Sequence, residues 1–276
     1  MAYERYETLR VVVADGVARL TIDHPPINLL DLQLMLELDR ASHELEDDEA
    51  VRVVVADSAN ADFFIAHADV NLILGLPREP RETANTELGF FHAMVDRFRT
   101  MPKATIAVVE GRVRGGGSEL VSSFDMRFGA RSRAVFGQPE AALGIIPGGS
   151  GTQRLPALVG RARALEIMLG CGDVDAVLAE QWGWINRALP EDELWLFVTE
   201  LAARIASFPP GAIAAVKESV AGALLDPRAG LCNEELLFTR TLLDPEAVRR
   251  MERFIEIGGQ TRDVELDVAA VYNRLS

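Results

Sequence analysis

Two short runs of β-branched and small apolar residues constrain the fold more than any other feature: Val51-Arg-Val-Val-Val-Ala56 and Ala104-Thr-Ile-Ala-Val-Val109. Near-continuous apolar strands of this kind are buried on both faces, as in parallel sheets covered by helices. Between them Leu88, Phe91, Met94, Val95 and Phe98 recur at three- and four-residue steps, the period of an amphipathic helix. Strand, helix, strand predicts a parallel α/β sheet. Upstream, Leu9 to Asp23 holds two β-branched runs split by Asp15-Gly16, the strongest short-range hairpin signal. His24-Pro-Pro-Ile-Asn28 breaks the pattern, and from Asp31 a helix is expected with Leu34, Leu38, Ala41 and Leu45 inward. The acidic run Glu46-Asp-Asp-Glu49 reads as its solvated end. Leu76-Pro-Arg-Glu-Pro-Arg-Glu82 is expected to be an exposed loop, suited to a substrate-access flap or an ordinary surface connection.

After Pro190 the pattern is helical: Glu191 to Ser207, Pro210 to Leu225, runs from Asn233 and Pro245, and beyond Gly258-Gly259 a last helix ending at Tyr272. The expected division is a βα core over 1–190 and a helical C-terminal region over 191–276. With 276 residues, 49% hydrophobic and 25% charged, the chain can bury a sizeable core. Its 28 basic and 42 acidic residues leave a net charge of −14, which disfavours nucleic acid and anionic membrane surfaces as partners. Two cysteines, Cys171 and Cys232, with neither a CxxC pair nor His-rich spacing, make a disulfide framework or structural metal unexpected and point to a reduced, cytoplasmic setting. An acidic N-terminus and no 18-residue apolar run predict a soluble protein without signal peptide or membrane span.

Three segments could carry chemistry. Glu110-Gly-Arg-Val-Arg-Gly115-Gly116-Gly117-Ser118-Glu119 places glycines at a strand-to-helix junction, where backbone N–H groups can approach a ligand and the helix adds partial positive charge. That is the physics of an oxyanion hole, although three glycines alone also make a simple tight turn. Phe63 to Val70 repeats the situation: Asp69 reads as the N-cap of a short helix to Leu74, which brings the Ala68 N–H near a helix N-terminus. In Phe136-Gly-Gln-Pro-Glu140 a carboxylate sits among small and apolar residues, where burial would raise its pKa and make it a proton donor at neutral pH.

In this order the segments resemble the crotonase superfamily, best known through enoyl-CoA hydratase. The resemblance covers almost the whole chain: Pro25-Pro-Ile-Asn28, Phe64 to Asp69, Gly115-Gly-Gly-Ser-Glu119-Leu, Phe136-Gly-Gln-Pro-Glu140, Gly144-Ile-Ile-Pro-Gly148 and Gly151-Thr-Gln-Arg154-Leu. It implies an α/β fold, a crotonase-like ββα spiral core with a helical C-terminal trimerisation region, assembled as a homotrimer or a dimer of trimers. It implies an acyl-CoA substrate, with coenzyme A as part of that substrate and no separate cofactor. The implied oxyanion hole is the Ala68 and Gly116 N–H pair, with Ala66, His67, Asp69, Gly115 and Gly148 around the substrate. Hydratases of this family carry two glutamates, matched by Glu119 and Glu140. The expected chemistry is syn addition of water across a 2,3-double bond, with Glu119 as the base that activates water and Glu140 as the acid that protonates Cα.

The chain departs from the family pattern in places. His67 stands where a small residue, usually glycine, is found, as a spectator, a wall of the acyl pocket or an added hydrogen bond. Asn71 and Pro26 replace two frequent CoA-contacting lysines, only Lys103 and Lys217 remain in the chain, and Glu256-Ile-Gly-Gly-Gln-Thr stands where relatives have a basic stretch. Binding of the CoA phosphates then falls to arginines or backbone amides, with Arg112 and Arg114 as candidates, or is weak. The rival readings are a crotonase-type isomerase, thioester hydrolase or decarboxylase, and a non-catalytic acyl-CoA-binding homologue. A serine hydrolase at Ser118 or Ser150 lacks the GxSxG elbow and an evident histidine base.

Overall fold

A computed structural model describes residues 3, 5–77, 79–80, 83, 85–222, 228–268, 271 and 275. Parts of the expected 76–82 loop, the end of the helix expected to reach Leu225, and Tyr272 lie outside the described residues. The hairpin forms from β1 (Leu9–Ala14) and β2 (Val17–Ile22). Ala14 pairs with Val17, and the two residues between them, Asp15 and Gly16, both have positive φ (49° and 80°). That is the type I′ geometry whose twist matches its strands. In α1 (Leu32–Asp47) Asp31 caps the helix by accepting from the Leu34 N–H at 2.9 Å, and Leu34, Leu38, Ala41 and Leu45 are buried.

Three β-β-α turns follow. β3 (Val53–Ser58) and β4 (Phe63–Ile65) lead into α2 (Val70–Leu74) and α3 (Phe90–Thr100). β5 (Ala104–Val109) and β6 (Arg112–Arg114) lead into α4 (Gly116–Ser122). β7 (Met126–Ala130) and β8 (Val135–Gly137) lead into a 3-10 turn (Glu140–Leu143) and α5 (Gly151–Val159). α6 (Arg161–Gly170), β9 (Val174–Asp175), α7 (Ala176–Trp182) and β10 (Arg187–Leu189) complete the core.

In each turn the first strand joins one sheet, ordered β1-β2-β3-β5-β7-β10, and the second joins another, ordered β4-β6-β8-β9. β3, β5 and β7 run parallel with β3 and β5 buried along nearly their whole length, as their apolar runs require. β4, β6 and β8 are also parallel, so the segments leaving their C-terminal ends, at Ala66, Gly115 and Gln138, emerge on one edge of the small sheet. Open parallel sheets bind ligands at such an edge.

The chain continues as α8 (Glu191–Ala206), α9 (Pro210–Gly222), α10 (Arg228–Leu242), α11 (Pro245–Glu256) and α12 (Arg262–Glu265). Helix α8 packs Leu194, Val198, Ala202 and Ala206 onto the main core. Helix α10 starts at Arg228 instead of Asn233, because Leu231 and Cys232 are drawn into buried contact. A second apolar cluster joins Leu242, Ala247, Met251 and Phe254 to Val70 of α2 and to Leu143 and Ile145. The last helices thus close over the edge where the three strands end. No helix among the described residues is long and apolar enough to cross a membrane.

Candidate active site

The glycine run turns β6 into α4. Gly115 has φ +52° and ψ −130°, outside what side-chain-bearing residues readily adopt. Gly117 lies so close to β4 that a Cβ would sit 2.6 Å from the Ile65 side chain. This approach brings the start of α4 against the start of α2, and a Cβ on Gly116 would be 3.3 Å from the Ala68 Cβ. As the first residue of α4, Gly116 has an N–H with no partner within its helix. At Ala68 the backbone bridges Leu30: the His67 carbonyl accepts from the Leu30 N–H at 3.0 Å, and the Asp69 N–H donates to the Leu30 carbonyl at 3.0 Å. Taking those two groups turns the intervening Ala68 N–H the opposite way, as strand geometry demands. Asp69 caps α2 by accepting from the Asn71 N–H at 2.9 Å.

Glu119, in the first turn of α4, and Glu140, opening the 3-10 turn, are both buried, with 3% and 8% exposure. One oxygen of Glu119, Oε1, accepts from the Gly149 N–H at 2.8 Å and the Gly151 N–H at 2.7 Å. Burial first, then the charge of Glu234, pushes its carboxyl up to about 7, while the two amides and His92 pull against them. Glu140 is pushed well above the ordinary carboxylate range, first by burial and then by the Glu119 charge. Its own neighbour of note is the Gln138 amide, whose NH2, turned to satisfy both ends, lies 3.1 and 3.2 Å from the Glu140 oxygens. Two backbone donors favour the carboxylate form at Glu119, whereas burial and the Glu119 charge both favour the protonated form at Glu140.

The loop that holds Glu119 is itself held from behind. Glu234 of α10, 1% exposed, accepts from the Ser150 N–H at 2.6 Å and the Thr152 N–H at 2.8 Å, and from the Thr152 hydroxyl. The His92 Nε2 lies 3.0 Å from its Oε1. A cavity of about 30 Å³ lies beside Ala68, Gly115, Gly116 and Glu140, walled on its apolar side by Ile73, Leu143, Ile145 and Phe254. Glu119 is outside this lining and lies by Gly149 and the ring of Phe91, which also approaches Gly116.

Of the expected site residues, Ala68, Gly115, Gly116, His67 and Glu140 meet at the cavity, with Glu119 next to it. Ala66 packs with Ile27 and Phe63, Asp69 serves as the cap, and Gly148 lies under the ring of Phe238. The phosphate role expected for Arg114 is not supported. Its side chain is 1% exposed and doubly bonded to Asp173 at 2.7 Å, because β6 turns it inward. Lys103 donates to the Asp48 and Val51 carbonyls and Lys217 pairs with Asp125, so both lysines are engaged in holding the fold. His67 forms part of the cavity wall, with its ring edge-on to Phe254 and both nitrogens hydrogen-bonded within the protein. The sequence reading missed Glu234, His92 and Gln138. Only Gln138, directly after a strand and two before Glu140, carried a local signal.

Two buried carboxyls, both pushed above the ordinary carboxylate range, lie beside two helix N-termini and an apolar cavity, a set of groups suited to moving protons. The model of the enoyl-CoA hydratase/isomerase family matches residues 13–258, and the chain belongs to that family. A crystal structure from Streptomyces avermitilis, described as a candidate enoyl-CoA hydratase, superposes with a TM-score of 0.91 at 40% identity, covering 98% of both chains. A probable enoyl-CoA hydratase of Mycobacterium tuberculosis is 33% identical over 254 residues, 91% of this chain and 96% of the relative. The short-chain-enoyl-CoA hydratase of Clostridium acetobutylicum is 32% identical over 243 residues, 87% of this chain and 91% of the relative. The fold is the crotonase fold.

Proposed function

We propose that the protein is an enoyl-CoA hydratase that adds water syn across the 2,3-double bond of an enoyl-CoA thioester. The observation that carries this reading is the pair of buried glutamates at the joined N-termini of α2 and α4, one held by backbone amides and the other pushed toward its protonated form by burial and the charge of the first. The thioester oxygen takes the Ala68 and Gly116 N–H groups, which draws electron density from Cβ. Water bound to the Glu119 carboxylate gives it a proton as its oxygen forms the bond to Cβ. The π electrons move to an enolate whose negative charge rests on the thioester oxygen, where each N–H donor is worth about 10²- to 10³-fold in rate. The enolate then re-forms the carbonyl as Cα takes the proton of Glu140. Proton exchange through solvent returns the pair to its starting state.

The printed names of the relatives support an acyl-CoA substrate, and the Clostridium relative is named for short chains. Assembly as a trimer or dimer of trimers is supported by apolar side chains left exposed on α9 and just before it, Phe208 at 47%, Val216 at 63% and Val220 at 60%. Beneath that helix lies a recess of about 870 Å³. Light scattering giving the monomer mass at micromolar concentration would reject the assembly.

The test of the activity is loss of conjugated-enoyl absorbance with crotonyl-CoA, followed by mass spectrometry. A product heavier by one water is expected. A product of unchanged mass with a moved double bond would make the protein an isomerase, and no turnover of short, long or aromatic enoyl-CoA would overturn the enzymatic reading.

A further inference from the structure

Both ring nitrogens of His67 face acceptors. Nδ1 lies 2.8 Å from the Ala68 carbonyl oxygen and Nε2 lies 2.9 Å from Glu265 Oε1. A neutral imidazole has one N–H and one lone pair, so either tautomer would aim a lone pair at an oxygen. Burial opposes the charge of Glu265, but His67 and the Gln260 N–H outweigh it and hold the carboxyl below its ordinary range. Against a carboxylate, only the imidazolium satisfies both contacts. The side chains are 7% and 0% exposed, so the charge is buried and Glu265 is its counter-charge.

The charged groups around the ring come from four elements. Glu265 ends α12. Arg114 of β6 donates to the Glu265 backbone carbonyl at 3.2 Å and is matched by Asp173. Glu140 of the 3-10 turn comes near Gly115 beside the His67 Cβ. Asp69, the α2 cap, is bonded to the Asn71 N–H and to the Gln260 side chain. Burial opposes the imidazolium and Arg114 does so more weakly, while Glu265 and the Ala68 carbonyl favour it, and the net direction is upward.

The same C-terminal segment grips the oxyanion loop at further points. The Gln260 side chain accepts from the Val70 N–H and donates to Asp69 Oδ1 at 2.9 Å, and its backbone N–H donates to Glu265 Oε1 at 2.8 Å. Residues 258–265 therefore converge on residues 67–70, where α2 begins and Ala68 is presented. We infer that His67 is a positioning residue: clamped as an imidazolium between the Ala68 carbonyl and Glu265, it ties the C-terminal segment to the loop that aims the Ala68 N–H at the thioester oxygen. The clamp stands on its own geometry, and its catalytic consequence rests on the hydratase reading.

The experiment uses full-length protein labelled with 15N-histidine, in which a long-range 1H–15N spectrum reports the protonation of each ring. His67→Gln identifies the His67 signals by their disappearance. The wild type is expected to show both His67 nitrogens protonated at pH 7. In Glu265→Gln, which keeps the size of the side chain but removes its charge, that signal should titrate at lower pH. With crotonyl-CoA, kcat of Glu265→Gln should fall about tenfold, as for a misplaced donor. KM should stay within about threefold, because the lost interaction belongs to the transition state. The alkaline limb of kcat should move to lower pH together with the His67 titration. A neutral His67 tautomer in the wild type at pH 7 overturns the proposal without any variant. So does an unchanged pH profile of kcat in an active Glu265→Gln. A wild type that turns over no enoyl-CoA overturns the hydratase reading instead, and the spectrum alone then decides the clamp.

Discussion

Glu119→Gln separates the stability of the site from its chemistry. Burial and the charge of Glu234 lift the Glu119 carboxyl from 4.5 to about 7. Between those two values the folded protein holds a proton that the unfolded chain has released, so the contribution of this group to stability is full at low pH and is lost as pH rises through the window. Each tenfold in proton affinity corresponds to about 1.4 kcal/mol, so carrying the charge at pH 8 costs on the order of 3 kcal/mol. The amide has nearly the same shape, keeps an oxygen for the Gly149 and Gly151 N–H groups, and has no charge to bury. It also relieves Glu140, which the Glu119 charge pushes upward. In urea unfolding at matched protein concentration, Glu119→Gln should be more stable than the wild type by about 2 to 3 kcal/mol at pH 8 and nearly equal to it at pH 4.5. Hydration should fall by about 10² or more in the same preparation. A variant less stable than the wild type at pH 8, or a difference that does not change with pH, refutes the claim that this carboxylate is carried against its desolvation.

Wild-type kcat/KM for crotonyl-CoA should rise with pH through the region near 7 as Glu119 ionises, and Glu234→Gln, by removing a charge that raises it, should move that limb to lower pH; an unmoved limb would dismiss Glu234 as the neighbour that tunes the base. Gly149→Ala would place a Cβ 2.4 Å from Phe91 Cε1 and 2.5 Å from Glu119 Oε2. It should lower stability by about 1 to 3 kcal/mol, as overpacking does, and abolish most hydration; wild-type values in denaturation and turnover would show that the loop has room to give. Phe254→Ala removes a ring that is 1% exposed and walls the cavity. A loss of about 3 to 5 kcal/mol in urea unfolding is expected, with a higher hexenoyl-to-crotonyl ratio of kcat/KM, and an unchanged ratio would place the acyl chain elsewhere.

Local physics made much of the architecture legible in the chain. Asp15-Gly16 specifies its hairpin because both residues tolerate positive φ, and the observed Ala14–Val17 pairing follows. The valine-rich runs become β3 and β5 because only a sheet covered on both faces buries them. Asp31 and Asp69 cap their helices through side-chain oxygens that accept from N–H groups three and two residues on, respectively. The glycines before Glu119 mark the place where α4 closes on β4 and Ala68. The family motifs added the pairing of Glu119 with Glu140, which lie 21 positions apart.

Other features were not legible, because they depend on contacts between distant segments. Arg114 reads as one of two exposed cations flanking a glycine loop, and only the pairing of β6 with β8 turns it into the core against Asp173. Glu234 sits among acidic residues of an ordinary amphipathic helix. Its partners Ser150 and Thr152 are more than 80 residues away, and they make it part of the support for the base. His67 and Glu265 are 198 positions apart, and neither neighbourhood carries a mark of the other. By itself the sequence determined the turns, the caps, the buried strands and the types of group at the site, all set within a few residues of chain. The tertiary structure decided which charges are buried together, because desolvation and pairing depend on what the rest of the chain packs around each group.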